Sequence, residues 1–227
     1  MLAIEGYCWL CHQRLKLPCQ GICSFCYRQL PSYPLACSRC AQSVEYNKIT
    51  CGECLVTPPA WQKLIAVTPY IAPLRNLIQQ YKFHPQPQLS HTLARLFVLR
   101  WLHGYRQLKW NKPNIIIGIP LHRRRRWQRG FDQVNQIGEL IAKWLNIEYS
   151  SELLTRSRDT LTQTTLNRTQ RQRNLQHAFS LHGSVQERHI ALFDDVITTG
   201  TTMNSAAELL ICAGASTVQA WSICRTL

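Results

Sequence analysis

No aspartate or glutamate occurs from Cys54 to Phe131, a stretch that carries 13 of the chain's 26 lysines and arginines. Charge so one-sided points to a polyanionic partner, either a nucleic acid or a ligand bearing pyrophosphate. No G-x-x-x-x-G-K-[ST] run is present, so a nucleoside-triphosphatase reading has no footing. No basic patch precedes an apolar segment near Met1, which argues against a secretory signal. The most apolar helical stretch, Leu93 to Leu102, is too short for a bilayer and contains Arg95 and Arg100. A cytoplasmic protein without membrane insertion is expected. No internal repeat or low-complexity tract stands out.

What is abundant is cysteine. Eleven cysteines in 227 residues are unusual for a cytosolic protein unless they bind metal. Eight form four C-x-x-C pairs: Cys8/Cys11, Cys23/Cys26, Cys37/Cys40 and Cys51/Cys54. Each pair can form a knuckle whose tight turn aims two thiolates at one ion, and two pairs complete a tetrahedral Zn²⁺ site. The gaps of 11 residues after Cys11 and 10 after Cys40 suit two successive ribbons, each with one Zn²⁺. An interleaved pairing satisfies the same spacing. Cys19 fits no pair, and Cys212 and Cys224 lie in apolar runs that read as core. The formal charge is +14, and two Zn²⁺ on eight thiolates bring it to about +10.

The metal module is expected to span residues 1–57, with Pro58-Pro59 as a stiff boundary before a domain at 58–227. Leu74, Leu77, Ile78 and Tyr81 recur at helical spacing, with Arg75, Gln79 and Lys82 on the opposite side. A second helix is predicted over 88–103, and another from the Val134, Ile137, Ile141, Trp144 and Leu145 pattern. Strands are predicted at 115–119, near 149–154, at 190–193 and at 217–224, with a helix at 201–213 stopped by Gly214. Alternating strands and helices imply an α/β fold with a largely parallel sheet. Residues 155–176 are polar and read as a long loop with at most one short helix, either a functional lid or a disordered segment.

The richest segment is Ile190-Ala-Leu-Phe-Asp-Asp-Val-Ile-Thr-Thr-Gly-Thr-Thr202. An apolar strand ending in Asp194-Asp195 puts two carboxylates at the carboxyl edge of a sheet, where open α/β folds bind ligands. Thr198, Thr199, Gly200, Thr201 and Thr202 then offer hydroxyls and backbone N–H groups at a helix N-terminus, a phosphate cradle. A ligand with both a phosphate and a diol suits the pair. A second anion site is expected in Pro120-Leu-His-Arg-Arg-Arg-Arg-Trp-Gln-Arg-Gly-Phe-Asp-Gln133, where Arg123 to Arg126 and Arg129 offer five rigid guanidiniums, two or three of which can face one site, and Gly130 allows backbone approach. His122 in the same run is a possible acid or base, and Phe131 reads as core.

The acid pair and threonine loop resemble the PRPP-binding motif of type I phosphoribosyltransferases. The knuckles, the P-L-H-R-R-R segment, the Arg/Gln-rich loop and the Asp-Asp-Val-x-Thr-Thr-Gly-x-Thr run together resemble the competence protein F family over nearly the whole chain. Asp132 departs from the asparagine common there. The resemblance implies a type I phosphoribosyltransferase-like sheet behind an N-terminal double zinc ribbon, and a role in natural competence and the use of extracellular DNA. It implies PRPP with Mg²⁺ as ligand, Asp194 and Asp195 on the ribose hydroxyls, residues 198–202 on the 5-phosphate, and Arg123, Arg124 and Arg129 on pyrophosphate. Arg168, Arg171 and Arg173 are expected on a closing loop. The alternative is an adaptor for single-stranded DNA or a helicase, with Trp61, Tyr81, Phe83, Trp101 and Trp127 as candidate stacking surfaces.

Overall fold

The computed structural model describes residues 6–17, 21–33, 35–45, 49–83, 86–121, 131–156 and 178–226. Their elements, in chain order, are α1 (Ser24–Arg28), α2 (Gly52–Val56), β1 (Lys63–Pro69), α3 (Leu74–Phe83), α4 (Pro87–Gln107), β2 (Ile115–Gly118), α5 (Gln133–Leu145), β3 (Glu148–Ser150), β4 (Leu154–Arg156), β5 (Phe179–Leu181), β6 (His189–Ile197), α6 (Thr201–Cys212) and β7 (Thr217–Arg225). Five strands form one sheet in the order β1-β7-β6-β2-β3, with every pairing parallel. Strands β4 and β5 form a separate antiparallel pair.

A parallel sheet must be covered on both faces, which is why its strands read as continuous apolar runs. All of β2 is buried, as is nearly all of β7. Along β6 the side chains alternate between two cores. Ala191 and Phe193 join Leu93, Phe97, Val134 and Ile137, on the side of α4 and α5. Ile190 and Leu192 join Met203, Ala206 and Leu210, on the side of α6. Thus β2 leads through α5 to β3 on one face, and β6 leads through α6 to β7 on the other. The chain departs in opposite directions at β2 and β6, and a crevice opens at such a switch point beyond the strand ends.

Several elements differ from the sequence expectation. Strands β1 and β5 are additional to the expected elements, although Leu64-Ile-Ala-Val67 of β1 is an apolar run. The strand expected near 149–154 is two strands, β3 and β4, in different sheets. Strand β6 continues through the acids to Ile197, because β7 pairs with it as far as Arg225. Trp144, placed on the apolar side of its helix, is 41% exposed, and Cys212, read as core, is exposed. Cys224 is fully buried. Phe131 packs edge-on to Tyr81 at 5.4 Å between ring centroids, and the Asp132 carboxylate caps α5 by accepting from the Asn135 N–H at 3.1 Å. Among the described residues, no helix is long and apolar enough to cross a membrane.

Candidate sugar-phosphate and tetrathiolate sites

Strand β2 ends at Gly118, opposite Phe193, so the next residues of β6 are paired on one side only. The two acids of that overhang face opposite sides of the sheet. Asp195 turns toward α3 and α5. Its Oδ2 accepts from Lys82 Nζ at 2.8 Å and from Gln133 Nε2 at 3.3 Å. Asp194 accepts on Oδ1 from the Asp195 N–H at 2.8 Å. Burial, reinforced by the neighbouring Asp195 carboxylate, holds the Asp194 carboxyl well above the usual carboxylate range, against the opposing pull of the Asp195 N–H and the Lys82 ammonium. The pair is therefore a held carboxylate beside one that gains from a cation or a ligand hydroxyl.

Residues 198–200 follow, and α6 starts at Thr201. Gly200 is the N-cap with φ +80 and offers no side chain to the first turn of α6, where Thr199 Oγ1 accepts from the Thr201 N–H at 3.4 Å. A Cβ at Gly200 would also meet the Trp61 ring at 3.0 Å, which makes glycine doubly required. Thr199 Oγ1 and Thr201 Oγ1 lie 2.7 Å apart, and the Gly200 carbonyl accepts from the Asn204 N–H at 2.8 Å. The positive end of α6 and its first-turn N–H groups favour an anion.

Two clefts meet here. One of about 250 Å³ is lined by Tyr70, Lys82, Gln133, Arg156, Asp194 and Asp195, among others. A smaller one of about 40 Å³ is lined by Asp194 and residues 196–203. Asp194, Val196, Thr198 and Thr202 belong to both. The two clefts thus share a wall.

Of the expected site residues, Asp194, Asp195, Thr198, Thr199, Gly200, Thr201 and Thr202 come together. Arg123, Arg124, Arg129, Gly130, Arg168, Arg171 and Arg173 lie outside the described residues, as do Cys19, His122 and Trp127. Lys82, read as part of a solvent face, reaches the acids instead. Gln133 is 1% exposed, and its Oε1 is buried with no hydrogen-bond partner among the described residues. Of the candidate stacking surfaces, Trp61, Tyr81 and Trp101 are buried, while Phe83 is exposed.

The eight paired cysteines form two groups, Cys8/Cys11/Cys23/Cys26 and Cys37/Cys40/Cys51/Cys54, with all Sγ atoms of a group within 4.8 Å of one another. This excludes the interleaved pairing. Cys11 and Cys23 Sγ are 3.8 Å apart, and Cys40 and Cys51 Sγ 3.5 Å. A tetrahedron with Zn–S near 2.3 Å has edges of about 3.8 Å, so both groups fit zinc. Burial raises the Cys8 thiol, but the N–H groups of Cys23, Cys11 and Leu10 outweigh it and bring the thiol down to about 7; Cys37 stands likewise at about 7, with burial opposed by the N–H groups of Cys51, Arg39 and Cys40.

Sheet, acid pair, threonine loop and the two tetrathiolate groups together define a phosphoribosyltransferase-like α/β protein with an N-terminal module of zinc-ribbon type. No protein-family model matches the chain. It is 42% identical over 227 residues, all of both chains, to DNA utilization protein YhgH of Shigella flexneri. It is 37% identical over 221 residues, 96% of both chains, to competence protein F of Haemophilus influenzae. The chain belongs to this family of DNA utilization and competence proteins. Among solved structures it shows a loose fold likeness to adenine phosphoribosyltransferase of Trypanosoma brucei (19% identity, 66% of each chain, TM-score 0.41).

Proposed function

We propose that the crevice between β2 and β6 binds PRPP, and that the protein transfers or senses its phosphoribosyl group in the utilisation of DNA. The observation that carries this is the shared wall. Asp194 lines both the small cleft over the threonine loop and the larger cleft with Asp195. A 5-phosphate in the loop leaves the ribose hydroxyls beside the carboxylates. Lys82 and Gln133 fix Asp195, so its orientation does not depend on ligand. Arg123, Arg124 and Arg129 would meet pyrophosphate, and Arg168 and Arg171 would close over it. Mg²⁺, when bound, would neutralise the pyrophosphate and favour its departure. Transfer through an oxocarbenium-like state needs charge stabilisation and exclusion of water from the chain, not a covalent nucleophile. The names of the relatives, DNA utilization and competence, support a role with DNA; a base salvaged from DNA is the acceptor of this reading, and the cytoplasm its site of action.

Isothermal titration of PRPP with Mg²⁺ into zinc-loaded protein tests this. Micromolar binding, lost in Asp194→Asn and Asp195→Asn, is expected, with pyrophosphate release once the acceptor is supplied. No binding by folded wild type would sink the ligand assignment.

The basic run before Phe131 favours a second reading, an adaptor for single-stranded DNA or a helicase. Burial of Trp61, Tyr81 and Trp101 removes three of its five stacking candidates. A steep salt dependence of single-strand binding would support it.

A further inference from the structure

The turn between Cys37 and Cys40 presents three consecutive carbonyls to the sheet. Ser38 O accepts from the Leu64 N–H at 2.9 Å, Arg39 O from Trp61 Nε1 at 2.6 Å, and Cys40 O from Arg225 Nε at 3.2 Å. Two of these donors continue into the threonine loop. The Trp61 ring lies against Gly200, close enough that a Cβ there would stand 3.0 Å from it. Arg225 Nη1 donates at 3.3 Å to the carbonyl of Ile197, the residue before Thr198. Trp61 and Arg225 are only 5% and 9% exposed, so both struts run through the interior. A third tie joins the same region, since the Ala60 N–H donates to Asn204 Oδ1 at 2.8 Å in the first turn of α6.

We propose that Trp61 and Arg225 are positioning residues that set the backbone of the threonine loop from the third C-x-x-C knuckle, coupling ion occupancy at Cys37/Cys40/Cys51/Cys54 to anion affinity at residues 198–202. An ion on four thiolates fixes the Cys37–Cys40 turn and hence the direction of its carbonyls. The two donors then fix Ile197 and Gly200. A buried guanidinium beside a dianionic zinc tetrathiolate is also charge-matched. The coupling is reciprocal: whatever factor the ion adds to anion affinity, the anion adds to ion retention. The identity of the anion as PRPP rests on the function proposed above; the mechanical coupling does not.

The test is hydrogen exchange of the 198–202 amides in the full zinc-loaded chain, with no ligand added. Trp61→Phe removes the donor to Arg39 O together with the outer indole ring, whose Cη2 and Cζ2 lie nearest Gly200, and Arg225→Lys loses the two-way fork. Both are expected to retain two zinc ions and to exchange about fivefold faster at 198–202, the factor one lost hydrogen bond gives. Cys40→Ser is expected to do the same after losing one zinc, and Cys11→Ser to lose one zinc with the loop unchanged. In wild type, saturating PRPP with Mg²⁺ should slow release of one of the two zinc ions to a chromogenic chelator, and Trp61→Phe should abolish that slowing. Unchanged loop exchange in both Trp61→Phe and Arg225→Lys overturns the proposal, even if Cys40→Ser does not fold. Absence of PRPP binding with altered loop exchange would instead overturn only the ligand assignment.

Discussion

Cys8–Cys26 and Cys37–Cys54 fold alike and serve different neighbours. In each, the first cysteine's N–H donates five residues ahead, from Cys8 to Gln13 O and from Cys37 to Gln42 O. In each, the first knuckle is followed by a non-glycine residue in the left-handed region, His12 at φ 57 and Ala41 at φ 62. Each closes with a bridge, Tyr7 to Arg14 and Ala36 to Ser43, and each second knuckle opens a short helix, α1 or α2. The first group packs onto α4. Cys8, Leu15 and Ile22 join its core, and Gly21, at φ +68, lies so near Thr92 that a Cβ would clash with Oγ1. The second group packs onto the other core through Ala41, and its turn faces Trp61 and Arg225. Similar local geometry is placed once against α4 and once against Trp61 and Arg225, which reach the threonine loop.

The largest effect that can break this comparison is loss of metal. Binding of a structural zinc is worth on the order of 10 kcal/mol in such modules, so Cys11→Ser and Cys40→Ser should each lower the melting temperature and halve the zinc content. Only Cys40→Ser should also weaken PRPP binding, by roughly tenfold or more; equal loss from both would erase the distinction. Next, Trp61→Ala should cost about 3–5 kcal/mol as a buried aromatic truncation and weaken PRPP as well, read by denaturant unfolding and calorimetry together. Gly21→Ala is the control for the first group. It combines a left-handed φ with a clash against Thr92 and should cost about 2 kcal/mol while leaving PRPP affinity unchanged.

The smallest expected effect concerns the acids. Asp194 has a carboxyl raised by burial and by Asp195. A group raised on folding stabilises the protein below its unfolded pKa and loses that contribution as pH rises through its folded pKa. At neutral pH the ionised form is therefore a cost, and Asp194→Asn should raise the melting temperature by about 2–4 °C, the shift that ~1 kcal/mol produces at this size. The gap from wild type should widen as pH rises out of the usual carboxylate range. Asp195→Asn should lower the melting temperature, because it strips Lys82 and Gln133 of their acceptor. Melting curves across pH that move in the same direction for both variants would contradict this division of roles.

Much of the site was legible because it is local. The C-x-x-C spacings compress each tetrathiolate group into a few short segments, and the Asp-Asp to Thr-Thr run sets two carboxylates and a threonine turn side by side. The repeat of the two ribbons is faint in the sequence: Cys37 follows Cys8 by 29 residues and Cys54 follows Cys26 by 28, but little besides the thiols recurs. What was illegible is long-range. Lys82 has a polar-face position by helical periodicity, and only the placement of α3 at the strand ends turns it to Asp195. Trp61 and Arg225 have no local pattern that marks them, since their partners at Arg39 and Cys40 lie 22 and 185 residues away. Strand β1 reads as an apolar stretch after a proline pair until β7 pairs with it.

The most direct measurement is a crystal structure of the zinc-loaded protein with PRPP and Mg²⁺. The expected result places the 5-phosphate on the 199–202 amides, the ribose hydroxyls against Asp194 and Asp195, and Trp61 and Arg225 on the carbonyls of Arg39 and Cys40. A ligand bound instead on the basic surface away from β6, with the threonine loop empty, would contradict the account.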